Sequence, residues 1–186
     1  MRLRFLMLLL EMVLLAPTFA QAPSDAELKA LKNRVILLYQ TGKYTEAIPL
    51  AERYAAQTRP LFDENAREYA MALNNLAYLE ADQGVDLDQA LAHAQRAQQR
   101  LPGNPDVQDT LALVYIRKNL TNDSIRMLRD LVSQRPDSAP FHLHLALALY
   151  QKGDRPRAKQ ELEAALRHQP SEKEQNRIRE LLAKVG

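Results

Sequence analysis

One constant spacing recurs through the second half of the chain and limits its fold more than any other feature. Leu111, Ala112, Ser124, Leu128, Leu131 and Pro136 return as Leu145, Ala146, Ala158, Leu162, Ala165 and Pro170, every pair separated by the same step. Asn119 and Gly153 keep that step, and both residue types tolerate the left-handed backbone of a turn between helices. Ala90, Ala94, Ala97 and Pro102 precede Ser124, Leu128, Leu131 and Pro136 by the same step again. Leu76 and Ala77 precede Leu111 and Ala112 by one position more, and one extra residue in the Gly84–Gln89 turn accounts for the difference. A weaker copy runs through Tyr39, Gly42, Tyr44 and Ala47. The step from its Gly42 to Gly84 is longer than the later ones, which assigns an extension to Arg59–Glu68, read as a longer helix or loop.

Within each copy the apolar period is helical: Leu73, Leu76, Ala77 and Leu145, Ala146, Leu149 fall at i, i+3, i+4 spacing. Two helices joined by Gly or Asn and closed by Pro make a hairpin. One hairpin cannot bury its own apolar stripe, so consecutive hairpins must stack. Ala77, Ala112 and Ala146 on first helices, and Ala90, Ala94 and Ala97 on a second, are expected where helices approach most closely.

These residues give the chain its resemblance to the tetratricopeptide repeat family. Leu76-Ala77, Gly84, Ala90 and Pro102 match the family pattern, as do Leu111-Ala112, Tyr115, Asn119 and Pro136, with Ser124 in place of Ala. Leu145-Ala146, Gly153, Ala158 and Pro170 match it a third time. The longer first step, from Gly42-Lys43-Tyr44-Thr45-Glu46-Ala47 to Ala72-Leu73-Asn74-Asn75-Leu76-Ala77, is similar to the kinesin-light-chain type of repeat. The first copy departs, with Arg34 and Val35 in the Leu-Gly/Ala positions, as an N-terminal cap would. The resemblance implies an all-α, right-handed stack of antiparallel helix–turn–helix units over residues 21–170. About four repeats divide it, at 26–60, 64–102, 105–136 and 139–170.

Residues 171–186 predict one more helix. Ser171 and Glu174 have the capping-box spacing. Ile178, Leu181, Leu182 and Val185 form one apolar stripe, and Glu172, Lys173, Gln175, Arg179 and Lys184 cover the other side. It is read as the end cap that a helical array needs, although a helix offered to a partner protein has the same pattern.

Residues 1–20 have the three regions of a secretory signal peptide: Arg2 and Arg4, an apolar run from Phe5 to Leu15, then Pro17 and small residues around Ala20 and Ala22. The run is shorter than a membrane span and contains Glu11. The expectation is an exported protein of the bacterial periplasm or extracellular space, with no stable membrane span once the signal is cleaved. An uncleaved signal would instead leave an N-terminal anchor.

Composition excludes several chemistries. The chain has no Cys, which removes disulfides, thiolate metal sites and thiol catalysis, and its 5 Gly are too few for a phosphate loop plus tight turns. The 25 basic and 23 acidic residues give +2, so nothing in the whole-chain charge calls for nucleic acid. His142 and His144, two apart on a helix, face different sides and cannot chelate one metal. They are read as surface residues, like His93 and His168. Asp82, Asp86, Asp88, Glu161 and Glu163 are read as solvated helix faces. Asn119-Leu-Thr121 and Asn122-Asp-Ser124 match the N-glycosylation triplet, but Asn119 is better explained by its turn. No catalytic residue, metal ligand or cofactor is assigned.

The resemblance implies a concave groove lined by the first helix of each repeat. Counting from the register, its candidate residues are Lys32, Ile36, Tyr39 and Gln40 from the first copy, then Asn74, Asn75, Tyr78 and Asp82. The third copy contributes Asp109, Leu113, Ile116 and Arg117, and the fourth Leu143, Leu147, Tyr150 and Gln151. This mixture suits a peptide or protein partner through apolar contact and hydrogen bonding, although Tyr39, Tyr78 and Tyr150 could equally pack between repeats. Of the family's carboxylate-gripping clamp, Lys32 and Asn75 could fit, while Ile36, Asp106 and Thr110 stand where the other members belong. Three functions follow in order: an exported, non-catalytic binding scaffold; a spacer or homo-oligomerisation module of an envelope assembly; and, weakest, an enzyme using carboxylates such as Asp82 and Asp109.

Overall fold

The computed structural model describes residues 23–59 and 66–186. The signal-like segment and most of the inter-repeat extension lie outside the described residues. The rest is helical throughout: α1 (Asp25–Gln40), α2 (Tyr44–Thr58), α3 (Ala66–Gln83), α4 (Leu87–Arg100), α5 (Pro105–Arg117), α6 (Thr121–Gln134), α7 (Ala139–Gln151), α8 (Arg155–Arg167) and α9 (Glu172–Val185). Each helix packs against the next. The first helices α3, α5 and α7 also pack directly on one another.

The turns are set by backbone sign. Gly42 (φ 73°), Gly84 (φ 70°) and Gly153 (φ 87°) occupy the left-handed region, and Asn119 (φ 61°) does so at the corresponding place in the third hairpin. A Cβ built at Gly84 or Gly153 meets nothing within 4 Å. Positive φ, not crowding, therefore selects these residues, which is why Asn serves in one copy.

The small residues lie where the stack is tightest. Ala77, Ala90, Ala94, Ala97, Ala112 and Ala158 are fully buried. Ser124, which replaces Ala in its copy, is fully buried as well, and its Oγ donates to the Ala112 carbonyl at 3.0 Å. The hydroxyl is thus satisfied by the partner helix rather than left unpaired. Larger side chains fill the space between these contacts: Leu73, Leu76 and Val107 in the first half, Leu111, Leu113 and Val114 in the middle, Leu128, Leu149 and Leu162 in the second.

The last helix in chain order is α9. Ser171 and Glu174 form the reciprocal capping box. Ile178, Leu181 and Val185 enter the core beside Leu149 and Leu162. Covered by α5, α8 and α9, α7 is buried on nearly every side.

Because Ala112 is fully buried and its carbonyl is bonded to Ser124 of the facing helix, Ala112→Leu should overpack this contact and destabilise the stack by about 1–3 kcal/mol. A melting temperature lower by about 2–4 °C per kcal/mol would be the sign of it in a thermal melt. An unchanged melt would mean that α5 and α6 are not in this register.

Candidate functional site

Helices α1, α3 and α7, the start of α2 and the first turn of α9 surround a cavity of about 870 Å³. Its walls include Ile36, Tyr39, Gln40, Tyr44, Asn75, Tyr78, Leu143 and His144 from the repeats, and Lys173, Asn176 and Arg177 from α9. The end of the chain therefore forms part of the groove.

Asp82, at the end of α3, organises this junction. Its side chain is only 5% exposed. Lys173 Nζ donates to Oδ2 at 2.8 Å and Arg177 to Oδ1 at 2.7 Å. Arg117 of α5 donates to the Asp82 carbonyl at 3.0 Å and lies 4.0 Å from the carboxylate. Burial alone would push the Asp82 carboxyl up, but Lys173 and then Arg177 outweigh it and hold the group below the ordinary carboxylate range. Lys173 shows the converse: burial opposes its charge, and the bond to Asp82 raises it above the usual lysine value. Lys173 Nζ also donates to Tyr39 Oη at 2.7 Å. It lies 4.0 Å from the centre of the Tyr39 ring and 4.9 Å from that of Tyr44. Tyr39 in turn donates to Tyr78 Oη at 3.0 Å, and burial raises both phenols, keeping them neutral.

A second buried pair lies behind this one. His144 Nδ1 meets both oxygens of Asp109, at 2.8 and 2.9 Å, and its ring lies 6.5 Å from that of Tyr78. His142, on the other side of α7, faces Glu161 through Nδ1 at 2.7 Å and the Pro136 carbonyl through Nε2 at 2.9 Å. Two acceptors facing two ring nitrogens favour the imidazolium. The Glu161 bond raises the His142 pKa, although burial opposes it.

Several sequence expectations change here. His142 and His144 are buried, not on the surface, because α8, α9 and α5 cover both sides of α7 and each ring finds a carboxylate. Asp82 is not a solvated helix face, since α9 closes over it. Asp82 and Asp109 each hold their own cationic or imidazole partner rather than forming a carboxylate pair.

The candidate groove residues separate into open and closed sets. Ile36, 41% exposed, together with Gln40, Asn75, Tyr39 and Tyr78, lines the cavity. Lys32 lies beside it, paired with Glu68 at 3.0 Å. Asn74, Asp109, Leu113 and Ile116 are buried, because directly packed first helices turn those positions towards one another; Leu143 is buried too, but it lines the cavity. Leu147 and Tyr150 are partly buried against the core. Gln151 bridges a turn instead, donating to the Ile116 carbonyl at 3.2 Å and to Asn119 Oδ1 at 2.6 Å. Arg117 reaches Asp82 but leaves its own buried Nε without a partner among the described residues.

Lys173, Arg177, Tyr44 and His144 belong to the site but were not among the candidates. No local pattern marks them, since Lys173 and Asp82 are 91 residues apart. Among the described residues no cluster of three or more His, Asp or Glu could hold a metal. No described helix is long and apolar enough to cross a membrane.

Comparison with known proteins gives one consistent result. Two family models, both described as tetratricopeptide repeat, match residues 33–105 and 119–185. Among solved structures, the tetratricopeptide protein TTC0263 of Thermus thermophilus superposes with a TM-score of 0.69 at 22% identity, covering 86% of this chain and 83% of that one. MamA MSR-1 gives 0.55 at 19% identity over 87% and 86% of the two chains. The first such domain of human RPAP3 gives 0.52 at 18% identity over 64% and 93%. At these identities the likeness is one of fold. No curated protein matches the sequence.

Two measurements check the electrostatics. Asp82→Asn should cost about 1–3 kcal/mol in denaturant unfolding at neutral pH, the range for charge-assisted hydrogen bonds. The lower half is expected because Lys173 remains 41% exposed and can rehydrate. With a depressed native pKa, the Asp82 contribution is present above about pH 4 and lost as pH falls through the native value, and Asp82→Asn should remove that acid-side loss. His142 has the opposite sign. Its raised native pKa gives stability that is full below about pH 6.5 and lost as pH rises through the native value. Melting temperatures at about pH 5.5 and about pH 8.5 should therefore diverge more in the parent chain than in His142→Gln.

Proposed function

The chain belongs to the tetratricopeptide repeat family, and we propose that it is an exported, non-catalytic scaffold that holds a protein or peptide partner in its concave groove. The family and its stacked hairpins make a protein–protein interaction scaffold the general reading. Support for the groove as the binding face comes from one observation: the 870 Å³ cavity, lined by exposed Ile36 and by Gln40, Asn75, Tyr39 and Tyr78. Apolar, amide and phenol groups together suit a peptide, which needs side-chain contact and backbone hydrogen bonding at once. Export rests on the charged, apolar and small-residue order of residues 1–20. The Asp109–His144 pair is geometrically fit to position a proton, but among the described residues no Ser, Thr or Lys nucleophile is bonded to it. The non-catalytic reading rests on that and on the family. A spacer or homo-oligomer remains the alternative reading of the same fold.

Photo-crosslinking in the native cell tests the groove. A benzophenone side chain at Ile36, in the groove, should give a discrete heterologous adduct, and the same group at Gln99 on the outer helix should not. Adducts from neither position, or only with a second copy of the chain, would favour the spacer.

A further inference from the structure

Lys173 is anchored in an unusual place for a residue of a terminal cap. The apolar stripe of α9, Ile178, Leu181 and Val185, already seats the helix on α7 and α8. Capping needs nothing more. Yet the Lys173 side chain leaves its own end of the array and finishes against the first two hairpins. There the ammonium has one N–H on Asp82 at 2.8 Å and another on Tyr39 Oη at 2.7 Å. The rings of Tyr39 and Tyr44 lie 4.0 and 4.9 Å from it, and Tyr78 holds the Tyr39 hydroxyl in place. A carboxylate, a phenol oxygen and two aromatic faces converging on one nitrogen form a cage for a primary ammonium. A quaternary ammonium could use the rings but could not donate to Asp82 and Tyr39.

The cage residues Tyr39, Tyr44 and Tyr78 and Lys173 itself line the same cavity as Ile36, Gln40 and Asn75, with Asp82 behind them. Asp82 sets the condition for exchange. It is nearly buried, so withdrawal of Lys173 and Arg177 would strand a carboxylate with only Arg117 close by among the described residues. Another cation must enter as these leave. Lys173 and Arg177 lie four apart on one helix face and take the two oxygens of Asp82 separately, so the fitting ligand is a helix with a basic pair at that spacing.

We propose that Tyr39, Tyr44, Tyr78 and Asp82 form a receptor for a lysine side chain, that Lys173 is its resident occupant, and that the groove's partner is a protein presenting a lysine on a basic helix, which displaces Lys173. This rests on the reading of the groove as a protein-binding surface. It adds the chemistry of the ligand and a built-in competitor.

The test uses the full chain with Lys173→Ala and n-butylammonium as probe, read by NMR of the tyrosine rings. The emptied cage should show saturable shifts of Tyr39 and Tyr44. Binding should be about tenfold weaker or more in the parent chain, in Lys173→Ala/Asp82→Asn, and with tetramethylammonium as probe. A Lys173→Ala chain that keeps its helical circular dichroism yet shows no saturable shift overturns the proposal, as does equal binding by the parent. In the second arm, the adduct captured from Ile36 should increase in Lys173→Ala, because its competitor is gone. An adduct of unchanged or lower yield overturns the displacement while leaving the groove reading intact. No adduct from Ile36 in either chain would overturn the groove reading, and the displacement with it.

Discussion

The close approach of helices at small residues sets everything else in this molecule. Ala77, Ala112 and Ala146 on successive first helices, and Ala90, Ser124 and Ala158 on successive second helices, are all buried at 1% exposure or less. Because these positions repeat at nearly constant spacing, each hairpin meets the next through the same kind of contact. The direct packing of α3, α5 and α7 turns Leu113 and Ile116 into interface residues and leaves a cavity bounded by α1, α3, α7 and α9. Stability in such an array is a sum of neighbour contacts. The cavity is a product of that packing, and side chains of α9 reach Tyr39 of α1 and Asp82 of α3 across it.

That reach gives the groove its chemistry. An aspartate at the end of α3, two cations from α9, an arginine from α5 and phenols from α1, α2 and α3 meet although they are far apart in the chain. Asp82 would be costly where it sits without Lys173 and Arg177. The two cations come from the opposite end of the chain to the helix that holds Tyr39. The site therefore exists only while the whole stack is formed, and α9 serves both to cover α7 and α8 and as a wall of the cavity.

The fold was legible because it depends on local, repeated facts. A constant step between copies, Gly or Asn at turns and Ala at contacts specify a hairpin stack without reference to anything distant. Ser171 and Glu174 marked the start of α9 for the same reason. The site was only partly legible. Ile36, Gln40 and Asn75 could be counted from the register. Asn74 and Leu113 could not be told from groove residues, because burial there depends on the angle between hairpins. Lys173 read as solvated from its own helix, and its true partners are 91 and 134 residues away. His142 and His144 read as surface residues because nothing in α7 alone shows that four helices pack around it.

The central claim is that the chain's own terminal helix closes the groove through Asp82. The absence of cysteine from the sequence allows a clean pair of spin labels, at Gln40→Cys on α1 and Glu172→Cys at the start of α9, with their separation measured by pulsed electron resonance. One narrow separation is expected at neutral pH, broadening and lengthening when Asp82→Asn frees the first turn of α9, while Ile178, Leu181 and Val185 keep the rest of the helix seated. A distribution already broad in the parent, or one that Asp82→Asn leaves unchanged, would contradict it.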